Sequence, residues 1–194
     1  MTKGEKTKKH LYQCSLELFR EKGYDNVSVN EIVEKAGTAK GTFYVHFSSK
    51  AAVISEMFHE YDAYYKTLEE QMDPEASVTE RLEEFIRASC NFTEKKIGLD
   101  LIRVLYIHQL TEGTIEQDAL RSDRELYRII KTFLLHGQTK GELRADFDIQ
   151  QITDYLIRSI RGTFYEWAMK EGAFSLTEEC VSYIRVFLSG LIIR

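Results

Sequence analysis

A serine stands three residues ahead of a glutamate at the edge of an apolar run in Ser28 with Glu31, Ser77 with Glu80, and Ser175 with Glu178. This spacing lets the serine hydroxyl accept from a backbone N–H of the first helical turn while the glutamate reaches back to the serine N–H. Each pair therefore marks a helix start. Glycines stand where the runs should stop, at Gly23, Gly37, Gly98 and Gly172, because a left-handed residue readily closes a helix. Pro74 is the single proline, and Asp73-Pro74 closes the segment that begins near Ser48 and Ser49. With proline so rare, long uninterrupted helices are allowed. No segment has the alternation of a strand. The expected class is all-α, with about nine helices.

Apolar spacing fills in the rest. Leu11, Ser15, Leu18 and Phe19 share one helical face ahead of Gly23. Val29, Ile32, Val33 and Ala36 form a second stripe that ends at Gly37, and a new short segment follows almost at once. Two short helices bent at a glycine read as a helix-turn-helix, giving a three-helix head over residues 1–50. Residues 51–194 form a larger helical body. A helix is expected over roughly 117–138, TEGTIEQD should be a loop, and Asp148 with Gln151 opens a long helix.

The last two helices carry apolar residues on more than one stripe, which requires cover on more than one side. Either the body buries them itself or a second copy does. The second reading implies a homodimer with a four-helix isologous interface. It would involve Ile152, Leu156, Gly162, Thr163, Tyr183, Phe187, Gly190 and Leu191, with the two glycines allowing close approach.

Composition excludes several classes. No apolar run nears the ~20 residues that span a bilayer, so no membrane partner is expected. MTKGEKTKKH lacks the apolar stretch of a secretory signal. Cys14, Cys90 and Cys180 are far apart and unpaired in sequence, as expected of reduced cytoplasmic thiols. The five histidines form no HExxH, and there is no Walker A loop, GxSxG or dinucleotide fingerprint. No catalytic residue, metal site or cofactor is expected, and the chain does not read as an enzyme. The net charge of −5 is uneven. Residues 1–50 hold nine Lys/Arg against six Asp/Glu, and the remainder holds 17 against 25. A basic head on an acidic body suits a polyanionic partner at the head.

Residues 28–54, SVNEIVEKAGTAKGTFYVHFSSKAAVI, resemble the DNA-binding domain of the TetR family of transcriptional regulators. The matching positions are Ser28, Ile32, Ala36, Gly37, Lys40, Gly41, Thr42, Phe43, Tyr44, His46, Phe47 and Lys50. The strong match covers roughly residues 8–58. The segment after Gly37 is too short to be helical alone, so Phe43 and Phe47 should anchor it in the head. By resemblance, this helix enters the major groove of operator DNA. Lys40 and Thr42 would contact bases, with Gly41 allowing close approach. Tyr44, His46, Lys50 and the backbone at Ser28 would grip phosphates. The alternative for Tyr44 is partial core packing, and for His46 a local cap or surface residue. Lys3, Lys6, Lys8 and Lys9 form a flexible arm beside the DNA or a solvated tail. The family often caps this helix with serine where the chain has Ala39, which leaves Thr38 as the expected cap, one residue earlier.

The resemblance further implies a ligand-responsive regulator, by default a repressor that a small molecule releases from a palindromic operator. A largely hydrophobic effector would bind in the body. Candidate lining residues are Tyr61, Tyr65, Phe85, Tyr106, His108, Phe133, Phe164 and Trp167, most of which also suit a plain core.

Overall fold

The computed structural model describes residues 2–111 and 123–192, apart from the His108 and Thr111 side chains. The expected TEGTIEQD loop, save its first residue, and the start of the helix foreseen at 117 lie outside the described residues. Nine α-helices are described: α1 Lys3–Lys22, α2 Val29–Lys35, α3 Lys40–His46, α4 Lys50–Gln71, α5 Val78–Phe92, α6 Leu99–Thr111, α7 Glu125–Thr139, α8 Ile149–Met169 and α9 Leu176–Ser189. One isolated antiparallel bridge, Leu143 to Ile192, is the only β pairing among the described residues.

These three Ser-x-x-Glu pairs start helices. Ser28, Ser77 and Ser175 each accept from the N–H three residues on, at 3.2–3.3 Å. Asp148 does the same for Gln151 at 3.0 Å, and Ser49 accepts from Ala52 at 3.1 Å. Gly23, Gly37, Gly98 and Gly172 all take positive φ. One helix end was not foreseen. After α5 the backbone widens into a π-turn over Thr93–Ile97 before Gly98 closes it. The sequence FTEKKI carries no breaker that would announce the wider turn. The lysines near the N-terminus are neither arm nor tail. They lie on α1, which begins at Lys3 because Thr2 and Glu5 complete a capping box, as Ser28 with Glu31 and Ser77 with Glu80 do.

The chain divides into two compact units. One runs to Glu60 and takes in α6 from Asp100; the other holds Tyr61–Leu99 and the chain from Asp123 onward. The expected division at residues 50 and 51 falls at the first turn of α4. In the first unit α1, α2 and α3 pack on one another. Leu11, Phe19, Ile32 and Phe43 are 0–1% exposed at the centre of that head.

In the second unit α5 packs against α7 and α9, and α8 packs against α7 and α9. Three of the proposed interface residues turn inward here. Leu156 is fully buried, and Ile152 and Leu191 are nearly so, so they belong to the subunit's own core. On this face Gly162 and Gly190 are exposed, and Thr163, Tyr183 and Phe187 are half-buried. Val186, Met169 and Tyr155 are exposed beside them. The second apolar stripe is therefore real, but shifted from the positions that look most apolar in sequence.

Candidate nucleic-acid interface

α3 is only seven residues long and owes its position to packing. Phe43 is fully buried and Phe47 is 3% exposed, with ring centroids 5.5 Å apart. Gly37 has a φ of 62°. Its N–H donates to the Glu34 carbonyl at 3.1 Å, and the Thr38 N–H donates to the Val33 carbonyl at 2.9 Å. These bonds close α2 and turn the chain at once into α3. The turn and the two rings together fix which side of α3 faces out.

Lys40, Gly41, Tyr44 and Val45 are on that side, and Thr42 and His46 lie at its margins, half-buried. Tyr44 is half exposed, its ring set edge-on to Phe43, so it combines a packed ring with an open hydroxyl end. His46 lies beside the first turn of α1, where a Cβ on Gly4 would be 3.9 Å from its ring. Val45 carries no hydrogen-bonding group and is prominent on the outer side; its position, two residues after Phe43 and four after Gly41, is the signal that places it there.

Two residues expected at the phosphates have other work in the structure. The Lys50 ammonium donates to the carbonyls of Tyr24 and Val27 at 2.7 and 2.9 Å, and sits 4.1 Å from the Tyr24 ring centroid. It ties the first turn of α4 to the α1–α2 connection. Burial pulls its pKa below the ordinary lysine value, opposed by the nearby Asp25 and Glu31 charges. Ser28 turns both its N–H and its hydroxyl onto Glu31, at 2.8 and 2.9 Å. Lys22 adds a 2.7 Å bond to the same carboxylate. This lysine, with the Ser28 donors, holds the Glu31 pKa down to about 2. Glu31 thus takes both donors by which Ser28 was expected to meet a phosphate at the start of α2. Ser28 and Lys50 brace the head.

The Thr38 cap is also corrected. Ala39 is the N-cap and makes no side-chain bond, so α3 starts at Lys40. The Thr38 hydroxyl is buried without a hydrogen-bond partner among the described residues.

The effector candidates separate. Tyr61, Tyr65, Phe85, Phe133 and Trp167 are all buried in the second unit. Tyr61, Tyr65, Phe85 and Phe133 form a continuous aromatic column with centroid spacings of 5.7, 5.1 and 5.9 Å. The Tyr61 hydroxyl shares a 2.7 Å bond with Thr93, and the Trp167 indole donates to the Phe174 carbonyl at 3.1 Å. Burial raises the Tyr65 hydroxyl above the ordinary tyrosine range. Phe164 is half-buried in this unit. Tyr106 is half-buried in the first unit, and the His108 side chain lies outside the described residues. Sequence spacing did not point to Arg81, whose guanidinium lies 4.0 Å from the Phe133 ring centroid at the end of the column.

A short outward helix, anchored by two phenylalanines on a three-helix head, is a helix-turn-helix module of the kind that presents its second helix to a major groove. Residues 11–57 match the model described as bacterial regulatory proteins, tetR family. Residues 57–190 match that of the YsiA-like protein C-terminal region. The fatty acid metabolism regulator protein of Bacillus subtilis (strain 168) is 22% identical over 93% of both chains. The transcriptional regulator AcrR of Shigella flexneri is 24% identical, over 95% of this chain and 89% of its own. The crystal structure of Thermus thermophilus FadR, a TetR-family transcriptional repressor in complex with lauroyl-CoA, superposes with a TM-score of 0.73 at 22% identity, covering 96% of each chain. The chain belongs to the TetR family of bacterial regulatory proteins, and it is a DNA-binding transcriptional regulator. Among the described residues no helix is long and apolar enough to cross a membrane.

Proposed function

We propose that this regulator is a cytoplasmic, non-catalytic repressor that binds a two-fold symmetric operator as a homodimer and is released by a largely hydrophobic effector. The observation that carries the reading is the outer side of α3. Lys40, Gly41, Thr42 and Tyr44 lie on it or at its edge, with His46 at its margin, while Phe43 and Phe47 hold the other side. Ammonium, hydroxyl, phenol and imidazole groups all donate to base edges or phosphates. We assign base contacts to Lys40 and Thr42 and backbone contacts to Tyr44 and His46.

A single α3 reads only a few base pairs, so two copies are required. The exposed Val186, Met169 and Tyr155, with Thr163, Tyr183, Phe187, Gly162 and Gly190, supply a self-complementary face on α8, α9 and the turn after α9. Two heads so joined must present their α3 helices about 34–36 Å apart to meet successive major grooves. An effector that favours any other separation weakens DNA binding by its differential affinity for the two states. The relatives concerned with fatty acid metabolism and lauroyl-CoA make a long-chain acyl-CoA thioester the first effector to test.

Selecting bound sequences from random DNA tests the core of this reading. The expected product is a palindrome whose half-site centres lie one helical turn apart or a multiple of it, with acyl-CoA lowering affinity for it. Enrichment of no sequence over random DNA would overturn it.

A further inference from the structure

We propose that Val45 reads a base directly, by placing its two methyl groups against the C5 methyl of a thymine in the major groove. This rests on the operator-binding reading above and adds a specificity determinant to it. Val45 is 79% exposed, the most exposed large apolar side chain among the described residues. It lies on α3 opposite the buried Phe43, in line with Gly41 one turn earlier. This Gly41–Val45 line is the most outward ridge of the helix, flanked by Lys40, Thr42 and Tyr44.

Gly41 supplies an independent observation. A Cβ built there meets no described atom within 4 Å, and the backbone has an ordinary negative φ. Glycine inside a helix is unfavourable relative to alanine, and nothing among the described residues requires it here. The missing side chain is explained by an object outside the chain that approaches the backbone closely. At that depth the next residue along the ridge meets base edges before it meets phosphates. Valine cannot donate or accept a hydrogen bond, so it contributes nothing to a phosphate. Of the four bases only thymine presents a methyl group in the major groove, and that is the one feature of a base edge that an aliphatic side chain recognises.

The test uses the full-length protein and its selected operator, with each thymine replaced in turn by deoxyuridine, which removes only the C5 methyl. Affinity is read by fluorescence anisotropy. One thymine per half-site is expected to show a methyl dependence of about four-fold, the worth of one buried methyl-sized group. Val45→Ala, which alters both subunits, should weaken binding to the thymine operator by about the square of that factor, roughly 16-fold, and abolish the deoxyuridine effect at that position, so that the two losses do not add. The variant's melting temperature should stay at the wild-type value, since the side chain touches little in the head. Binding that is indifferent to every thymine methyl, or a methyl dependence that persists unchanged in Val45→Ala, overturns the assignment of Val45 and leaves operator binding standing. Failure to select any operator overturns the operator reading and this assignment with it.

Discussion

Replacing Lys50 by alanine separates two roles that a sequence motif cannot distinguish. If Lys50 braces the head, the substitution removes two charge-assisted hydrogen bonds, to the Tyr24 and Val27 carbonyls, and a cation 4.1 Å from an aromatic face. A hydrogen bond to a charged group contributes about 1.5–3 kcal/mol when well buried. Here the side chain is only partly buried, and the lowered pKa shows that desolvation already offsets part of the gain. The net loss is then about 1–2 kcal/mol. For a chain of this size that is a fall in melting temperature of about 2–8 °C. A phosphate contact has a different signature, because each one adds about 0.9 to the slope of log affinity against log salt concentration. If Lys50 were such a contact, replacing it would reduce that slope by about 1.8 per dimer, one contact from each subunit, with little change in melting. Lys50→Ala should lower the melting temperature and leave the slope unchanged. Circular dichroism melts and anisotropy titrations between 50 and 200 mM salt, values over which such slopes are readily resolved, measure both. A Lys50→Ala protein that melts like the wild type and loses about 1.8 from the slope would show that Lys50 grips DNA.

Four further outcomes are expected. Glu31 ionises in the folded head at about 2, against 4.5 for an ordinary carboxyl. Its capping contribution should be complete above pH 4.5 and disappear as pH falls from there toward 2, so Glu31→Gln should show a flatter fall in melting temperature across that window. Thr38→Val replaces an unpartnered buried hydroxyl by a methyl group and should leave stability unchanged or raise it by about 1 kcal/mol. A loss of about 1 kcal/mol in a urea melt would instead mean that Thr38 caps α3. A Cβ at Gly137 would lie 2.7 Å from the Cβ of Val78, so Gly137→Ala should overpack the α5–α7 contact and cost about 1–3 kcal/mol by the same assay. Val186→Glu places a charge on the exposed apolar face of α9 and should shift sedimentation from dimer to monomer with secondary structure retained; an unchanged dimer would move the interface elsewhere.

The parts of this fold that sequence makes plain are those decided by backbone hydrogen bonding and burial. Ser28, Ser77 and Ser175 start helices because their short hydroxyls reach only the first turn. Phe43 and Phe47 are anchors because no other apolar pair in so short a segment can hold it. The π-turn after α5 was hidden because one extra residue per turn leaves no mark in composition. Leu156 was misplaced for a related reason: when a helix is apolar on two sides, periodicity shows that both are covered but not which side belongs to the subunit's own core.

Long polar side chains mislead in a different way. The Lys50 ammonium stands at the end of a four-carbon stem, so its Cα position leaves several ångströms of choice between solvent, phosphate and the open carbonyls of Tyr24 and Val27. That choice is settled by how the α1–α2 connection closes, which depends on Gly23 some distance back in the chain. Valine has no such choice. Its methyls stay within a bond or two of the helix surface, so once Phe43 fixes the rotation of α3, Val45 must point away from the head. The residue with the least chemistry in the motif is therefore the one whose direction is most firmly determined, and a base-reading contact assigned to it is less open to rearrangement than one assigned to any lysine nearby.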